Sequence, residues 1–114
     1  MLTDAGRHQD ALPDAEEAAR LAPEEPGVRD TLGLVYLGLG RTEAALKELE
    51  RASQGSPDPG LRAHLGLALA RSGQTKRARR AFLEALDGYR KDPPISEHDR
   101  AMETRARKFV ADNP

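Results

Sequence analysis

A self-similarity with a lag of 34 and then 33 residues constrains this chain more than any other feature. Gly6, Gly40 and Gly73 open three similar segments, GRHQDALPDAEEAARLAP, GRTEAALKELERASQGSP and GQTKRARRAFLEALDGYR. Ala11, Ala45 and Ala78 align across them, then Ala15, Leu49 and Phe82, then Ala18, Ala52 and Ala85. Pro23 and Pro57 close the first two segments. Between segments, Leu32-Gly33 matches Leu65-Gly66, and Tyr36 matches Leu69. A period of this size is that of a supersecondary unit that buries its apolar face against copies of itself.

Each unit reads as two helices. Pro26 suits the first turn of a helix, where a missing N–H costs little. That helix is expected to run to about Leu39 and stop at Gly40. A second helix is expected from an N-cap at Thr42, with Ala45, Leu49 and Ala52 on one face at i, i+4 and i+7. Gly55 and Pro57 end it. Asp58-Pro59 opens the next helix with a cap residue and a proline; it carries Leu65 and Leu69 and stops at Ser72-Gly73. The following helix, from about Thr75 to Tyr89, turns Ala78, Phe82 and Ala85 inward. Gly33, Ala45, Gly66 and Ala78 are small, which lets paired helices approach closely while the larger side chains fill the remaining space.

Two parts depart from the period. Only Met1 to Ala5 stand where the first unit would have its first helix, so the chain reads as a piece of a longer array. The surviving helix contains Pro13, which an interior turn does not tolerate; an N-cap at Asp10 would place it in the first turn. The apolar face around Leu12 and Ala15 would then be open to a neighbouring molecule. At the other end, Ser96 and Asp99 form a weak capping box. Beyond it Met102, Ala106, Phe109 and Val110 share one helical face, while Glu103 and Arg107 form a favourable i,i+4 pair. Residues 96–111 thus read as the terminal helix with one polar face that a repeat stack needs.

The pattern L-G-x-x-Y from Leu32 to Tyr36, followed by Ala45, Leu49, Ala52 and Pro57, resembles the tetratricopeptide repeat. The third unit keeps Leu65-Gly66, Ala78, Phe82 and Ala85 but has Leu69 for the aromatic, and the early tryptophan of the family is missing; Arg29 and Leu61 or Arg62 fall near its place. The resemblance covers roughly residues 1–90. It implies an all-α chain of antiparallel helical hairpins stacked as a short right-handed solenoid with a C-terminal capping helix. The expected division is residues 1–25 as a truncated first repeat, 26–57 and 58–92 as complete repeats, and 93–114 as the cap. It also implies a protein or peptide partner on a concave face lined by the first helices. The matching residues are Asp30, Leu34, Leu37 and Gly38 of one unit, and Ala63, His64, Leu67, Ala70 and Arg71 of the next. This set is apolar with charge at its rim and lacks the Lys and Asn residues with which some members hold a peptide carboxylate. It suits an amphipathic helix or an apolar extended segment. The alternative is that Leu34, Leu37 and Leu67 are core, covered by the C-terminal helix.

Composition and motifs narrow the remaining classes. Hydrophobic residues make up 38% and charged ones 32%, too apolar for a disordered chain. Aromatics are 4%, so the core must be Ala and Leu. No cysteine is present, which excludes disulfides and thiolate chemistry and leaves the redox compartment open. The longest apolar stretch, Leu32 to Leu39, is too short to span a bilayer. His8, His64 and His98 are far apart in sequence and lack H-x-x-x-H spacing, so no metal or cofactor site is expected. Ser53, Ser56, Ser72 and Ser96 sit at helix ends, as caps do. Glu16-Glu17 and Glu24-Glu25 are neighbours in sequence on a polar helix face or in a turn, which does not make an acid–base pair. Nothing here makes an enzyme. The run of Lys76, Arg77, Arg79 and Arg80 is a solvated face or, alternatively, a patch for an anionic partner; without aromatics beside it, it argues little for nucleic acid.

Charge is also unevenly divided. Residues 1–57 hold 6 Lys/Arg against 11 Asp/Glu, and residues 58–114 hold 12 against 8. Such polarity offers self-association, acidic end to basic end or through the truncated first unit, as an alternative to partner binding. Arginine outnumbers lysine 14 to 4, a bias toward a GC-rich bacterial genome that fits cytoplasm and periplasm equally.

Overall fold

A computed structural model describes residues 4–114, and the side chains from residue 6 onward. The described residues form six helices and no strand: α1 (Asp4–Leu21), α2 (Pro26–Gly38), α3 (Thr42–Gln54), α4 (Pro59–Arg71), α5 (Thr75–Lys91) and α6 (Glu97–Asp112). They fall into two compact units, one ending at Ser56 and the next beginning at Pro57. The first contains α1, α2 and α3, and the second α4, α5 and α6. The unit boundary lies where the charge balance changes sign.

The first unit is built on the α2–α3 hairpin. At its turn Gly40 takes φ of 78°, a left-handed conformation that glycine adopts without strain. The Gly40 amide donates to the Leu37 carbonyl and the Arg41 amide to the Tyr36 carbonyl, a Schellman motif that satisfies two end carbonyls of α2. In the body of the hairpin Gly33 faces Leu49, and a Cβ added to Gly33 would lie 2.6 Å from the Leu49 side chain. At the open end Gly55 faces the Pro26 ring, at 3.1 Å from such a Cβ. Arg29, near the place of the missing tryptophan, holds the assembly by charge. Its Nη1 donates to Glu48 at 2.8 Å and its Nε donates to the Pro23 carbonyl at 2.9 Å, with both charged side chains largely buried.

The second unit repeats the glycine contacts of this hairpin around α4 and α5. Gly73 has φ of 82°, and the Gly73 and Gln74 amides donate to the Ala70 and Leu69 carbonyls. Gly66 faces Phe82, and Gly88 faces Pro59. Asp58 caps α4 by accepting from the Gly60 amide at 2.9 Å, as the Asp-Pro pair predicts. Helix α6 then packs on both α5 and α4. Ser96 accepts from the Asp99 amide at 3.0 Å. Asp99 does not complete the reciprocal half of a capping box, because its carboxylate accepts from the Tyr89 hydroxyl. Met102 and Ala106 are buried, Phe109 and Val110 half-buried, and Glu103 pairs with Arg107 at 3.4 Å.

The first helix departs from expectation. Helix α1 begins at Asp4, so Asp10 is not its cap; Pro13 lies in its interior and Gly6 is helical. Residues Met1–Thr3 of the expected first-helix remnant lie outside the described residues. Pro13 removes one helical hydrogen bond but points to solvent, and burial of Ala15 and Ala19 against Leu32 and Val35 of α2 carries the helix through it. That same packing buries Ala15 and half-buries Leu12, so the face expected to be open is occupied by α2. Smaller differences concern the caps of α3 and α5. Arg41 and Gln74 hold those positions, and Thr42 and Thr75 are the first helical residues.

Glycine sites of opposite kind make a direct test of this packing. Phe82 is 1% exposed, so it has nowhere to move when a methyl group arrives 2.8 Å from its ring. Gly66→Ala is expected to destabilise the chain by about 1 kcal/mol or more, the overpacking exceeding the helical gain of about 1 kcal/mol. Gly27 has open space around it and no positive φ. Gly27→Ala is expected to stabilise by about 0.5 kcal/mol. Urea denaturation of both variants checks the signs.

Candidate functional site

The residues expected to face a partner divide by exposure. On α2, Asp30 and Leu37 are buried, Leu34 is half-buried, and Gly38 lies under the His8 imidazole of α1. On α4, Ala63 is fully buried in a cluster with Ala85, Tyr89 and Met102, and Leu67 packs partly against it. His64 is 6% exposed. Ala70 is half-buried and Arg71 is exposed. Helix α6 shares in the burial of Ala63 with Ala85 and Tyr89 of α5: through Met102 it lies over the face of α4 that the repeat pattern assigns to a partner.

Three helices meet above Gly60. Its missing Cβ makes room for the Asp99 and Asp58 carboxylates and the Tyr89 hydroxyl, which lie 3.1, 3.3 and 3.8 Å from where that Cβ would stand. The Tyr89 hydroxyl donates to Asp99 Oδ1 at 3.4 Å. Burial first, then the negative charges of Asp99 and Asp58, push the Tyr89 phenol well above its ordinary range.

At the other end of the same face α4 and α6 diverge. A cleft of about 260 Å³ opens there, floored by Leu67, Ala70, Phe82 and Phe109, with Arg105 and Lys108 at the rim. The Phe82 and Phe109 rings meet at a centroid distance of 5.1 Å, tilted by 52°. Lys108 is paired with Asp112 at 3.0 Å. The half of the expected face nearer the α4 C-terminus is therefore accessible, whereas the half nearer its N-terminus is closed. Phe109 and Arg105 were not among the sequence candidates. The apolar spacing of Met102, Ala106 and Phe109 marked the α6 face, but not the helix that it would meet.

The basic run stands on α5. Lys76, Arg77 and Arg80 are exposed, whereas Arg79 is half-buried with its Nε enclosed and without a hydrogen-bond partner. Arg77 donates to Gln74 at 2.6 Å. Arg80 borders a cleft that also holds Arg62, Glu84, Asp87 and Lys91. Glu84 pairs with Arg62, and Asp87 with Lys91 and Arg90. Hydrogen bonding and charge from Lys91, with a smaller contribution from Arg90, hold the Asp87 carboxyl below its usual range. The cations of this surface are interleaved with ionised carboxylates, which weakens the field that an anionic partner would meet.

Two histidines separated by 34 positions come together: His64 Nε2 and His98 Nε2 are 2.7 Å apart. Among the described residues no group of three or more His, Cys, Asp or Glu gathers as a metal site, and no helix is long and apolar enough to cross a membrane.

Small-residue helical hairpins recurring at a fixed lag, with a closing helix and an accessible apolar cleft, define the class as an all-helical repeat module. The chain belongs to the tetratricopeptide-repeat family, whose sequence profile matches residues 2–64. No curated protein matches the chain. The family suggests a module for protein–protein interaction.

The Tyr89 environment predicts a pH dependence. The native phenol stays protonated where an unfolded one ionises, near pH 10, so above that pH the unfolded state binds fewer protons and stability falls. The contribution is complete below pH 10 and is lost as pH rises toward the native value. Tyr89→Phe is expected to cost about 1 kcal/mol at neutral pH and to flatten the decline above pH 10. Urea midpoints of both proteins at pH 7 and above pH 10 check this.

Proposed function

We propose that the chain is a non-catalytic protein-binding module whose partner inserts an apolar side chain into the cleft between α4 and α6. The observation that carries this reading is the accessible apolar surface of Leu67, Ala70 and Phe109 over buried Phe82, beneath a rim of Arg105 and the Lys108–Asp112 ion pair. A cleft of about 260 Å³ accommodates one large aliphatic or aromatic side chain, the kind of anchor that dominates binding energy at protein interfaces. Arg71 and Arg105 favour an acidic flank on the partner. Of the family-matched positions on α4, Leu67, Ala70 and Arg71 retain surface and are proposed as contacts; buried Ala63 and His64 are proposed as support.

Selection of peptides from a displayed random library on the purified chain, followed by titration, tests this reading. Enriched peptides are expected to share one large apolar residue. They are expected to bind Leu67→Glu at least tenfold more weakly, about 1.4 kcal/mol, while circular dichroism shows unchanged helicity. Equal affinity for the variant, or no enrichment, refutes it.

A further inference from the structure

We propose that the His64–His98 contact is a proton-operated latch, which holds the first turn of α6 on α4 near neutral pH and releases it on acidification. The two Nε2 atoms are 2.7 Å apart and the ring centroids 5.0 Å, with the rings tilted by 49°. The nitrogen separation and the two ring radii together make up the whole distance between centroids. The rings therefore meet tip to tip, with one hydrogen on the line between the nitrogens. One Nε2 donates that hydrogen and the other accepts it with its lone pair.

Such a bond counts protons. It needs a hydrogen on one Nε2 and none on the other. A first added proton is tolerated, because the donor ring takes it at Nδ1 and becomes a charged, stronger donor. A second is not. It leaves an N–H on each Nε2, so two donors and two positive rings face each other across a gap that fits one hydrogen. The latched form has no place for that proton and the open form does, so falling pH favours the open form. Imidazole is the side chain that ordinarily changes charge between about pH 5 and 8, which suits it to this task.

The two rings are placed unequally. His64 is 6% exposed, whereas His98 stands in solvent at the second position of α6. Water thus reaches His98, and His98 is the ring with room to swing away. The rest of α6 is held separately, by Met102 in the cluster with Ala63, by buried Ala106, and by Phe109 against Phe82. Release is therefore confined to the first turn, and it uncovers His64 on the α4 face. The value of that exposure to a partner rests on the interaction-module reading; the latch itself does not.

Three helices supply the charged groups around the pair. One turn before His64, the Asp58 carboxylate, the Tyr89 hydroxyl and the Asp99 carboxylate meet at Gly60. One turn after it, Arg105 lines the cleft with Leu67. Glu97, Arg100 and Glu103 stand near His98 on α6. Asp58 accepts from the Gly60 amide, Asp99 from Tyr89, Glu103 pairs with Arg107, and Arg100 donates to the Ile95 carbonyl. Carboxylates outnumber cations in this set, so the local field draws protons toward the pair as the pH falls.

Nuclear magnetic resonance of the full chain tests the latch, with the pH lowered from neutral until both rings are charged. Ring nitrogen shifts give the protonation state of each imidazole, and a His64–His98 cross-peak reports the contact. The cross-peak is expected to persist through the first proton and to vanish with the second, while a Phe82–Phe109 cross-peak is kept. A soluble gadolinium chelate is expected to relax the His64 ring protons at least threefold faster in the open form. In His98→Ala that relaxation is expected to be fast at every pH, and His8→Ala should behave as the unaltered chain does. Persistence of the cross-peak between two charged rings overturns the proposal. So does its loss while either ring is neutral, its loss together with the Phe82–Phe109 cross-peak, or a pH-dependent His64 relaxation in His98→Ala. Spectra of the unaltered chain decide the matter even where His98→Ala fails to fold. No partner enters these measurements, so their outcome is independent of the peptide selection above.

Discussion

Close approach of paired helices, made possible by a missing side chain, is the constraint on which the hairpins depend. Gly33 receives Leu49 and Gly66 receives Phe82, so the most completely buried large side chain of each second helix lies against bare backbone of the first. Leu49 and Phe82 are among the most completely buried residues of the chain. Alanine fills the rest of each interface: Ala45, Ala52, Ala78 and Ala85 are all fully buried. With so few aromatics, the protein builds its interior by bringing helices together, so that many small dispersion contacts replace a few large ones. The hairpin ends follow from the same economy of size. Gly40 and Gly73 turn the chain, and Gly55 and Gly88 admit the Pro26 and Pro59 rings.

Much of this was legible in the sequence because it is periodic. The lag placed Gly40 and Gly73 at turns, Gly33 and Gly66 at close helix contacts, and Leu49 and Phe82 on inward faces; which glycine each of them meets came from the structure. Asp58 and Ser96 declared themselves as caps, and both accept the backbone hydrogen bonds expected of them. Local rules failed where tertiary packing outweighed them. Pro13 argued for a late start to α1, yet the Ala15 and Ala19 contact with α2 carries the helix through the proline. Thr42 has the chemistry of a cap but sits one position inside α3, since the Schellman turn at Gly40 fixes where that helix begins.

The candidate site was less legible, for a physical reason. Helical periodicity tells which face of α6 is apolar, but not which helix it covers. His64 and His98 looked remote because they stand 34 residues apart, yet that separation is one repeat lag. Helix α6 lies one repeat after α4 and runs beside it, as a further first helix would. The family pattern marks the whole α4 face for a partner, whereas in this chain Met102 and His98 cover its N-terminal half. What remains is a compact cleft at the other end, built partly by Phe109 and Arg105 of the covering helix itself.

The placement of α6 on α4 is therefore the claim on which the functional reading rests, and nuclear Overhauser contacts measure it directly. The account predicts cross-peaks from the Met102 methyl to the Tyr89 ring and the Ala63 methyl, and between the His64 and His98 rings. Absence of these contacts, with random-coil shifts over residues 97–112, would contradict it.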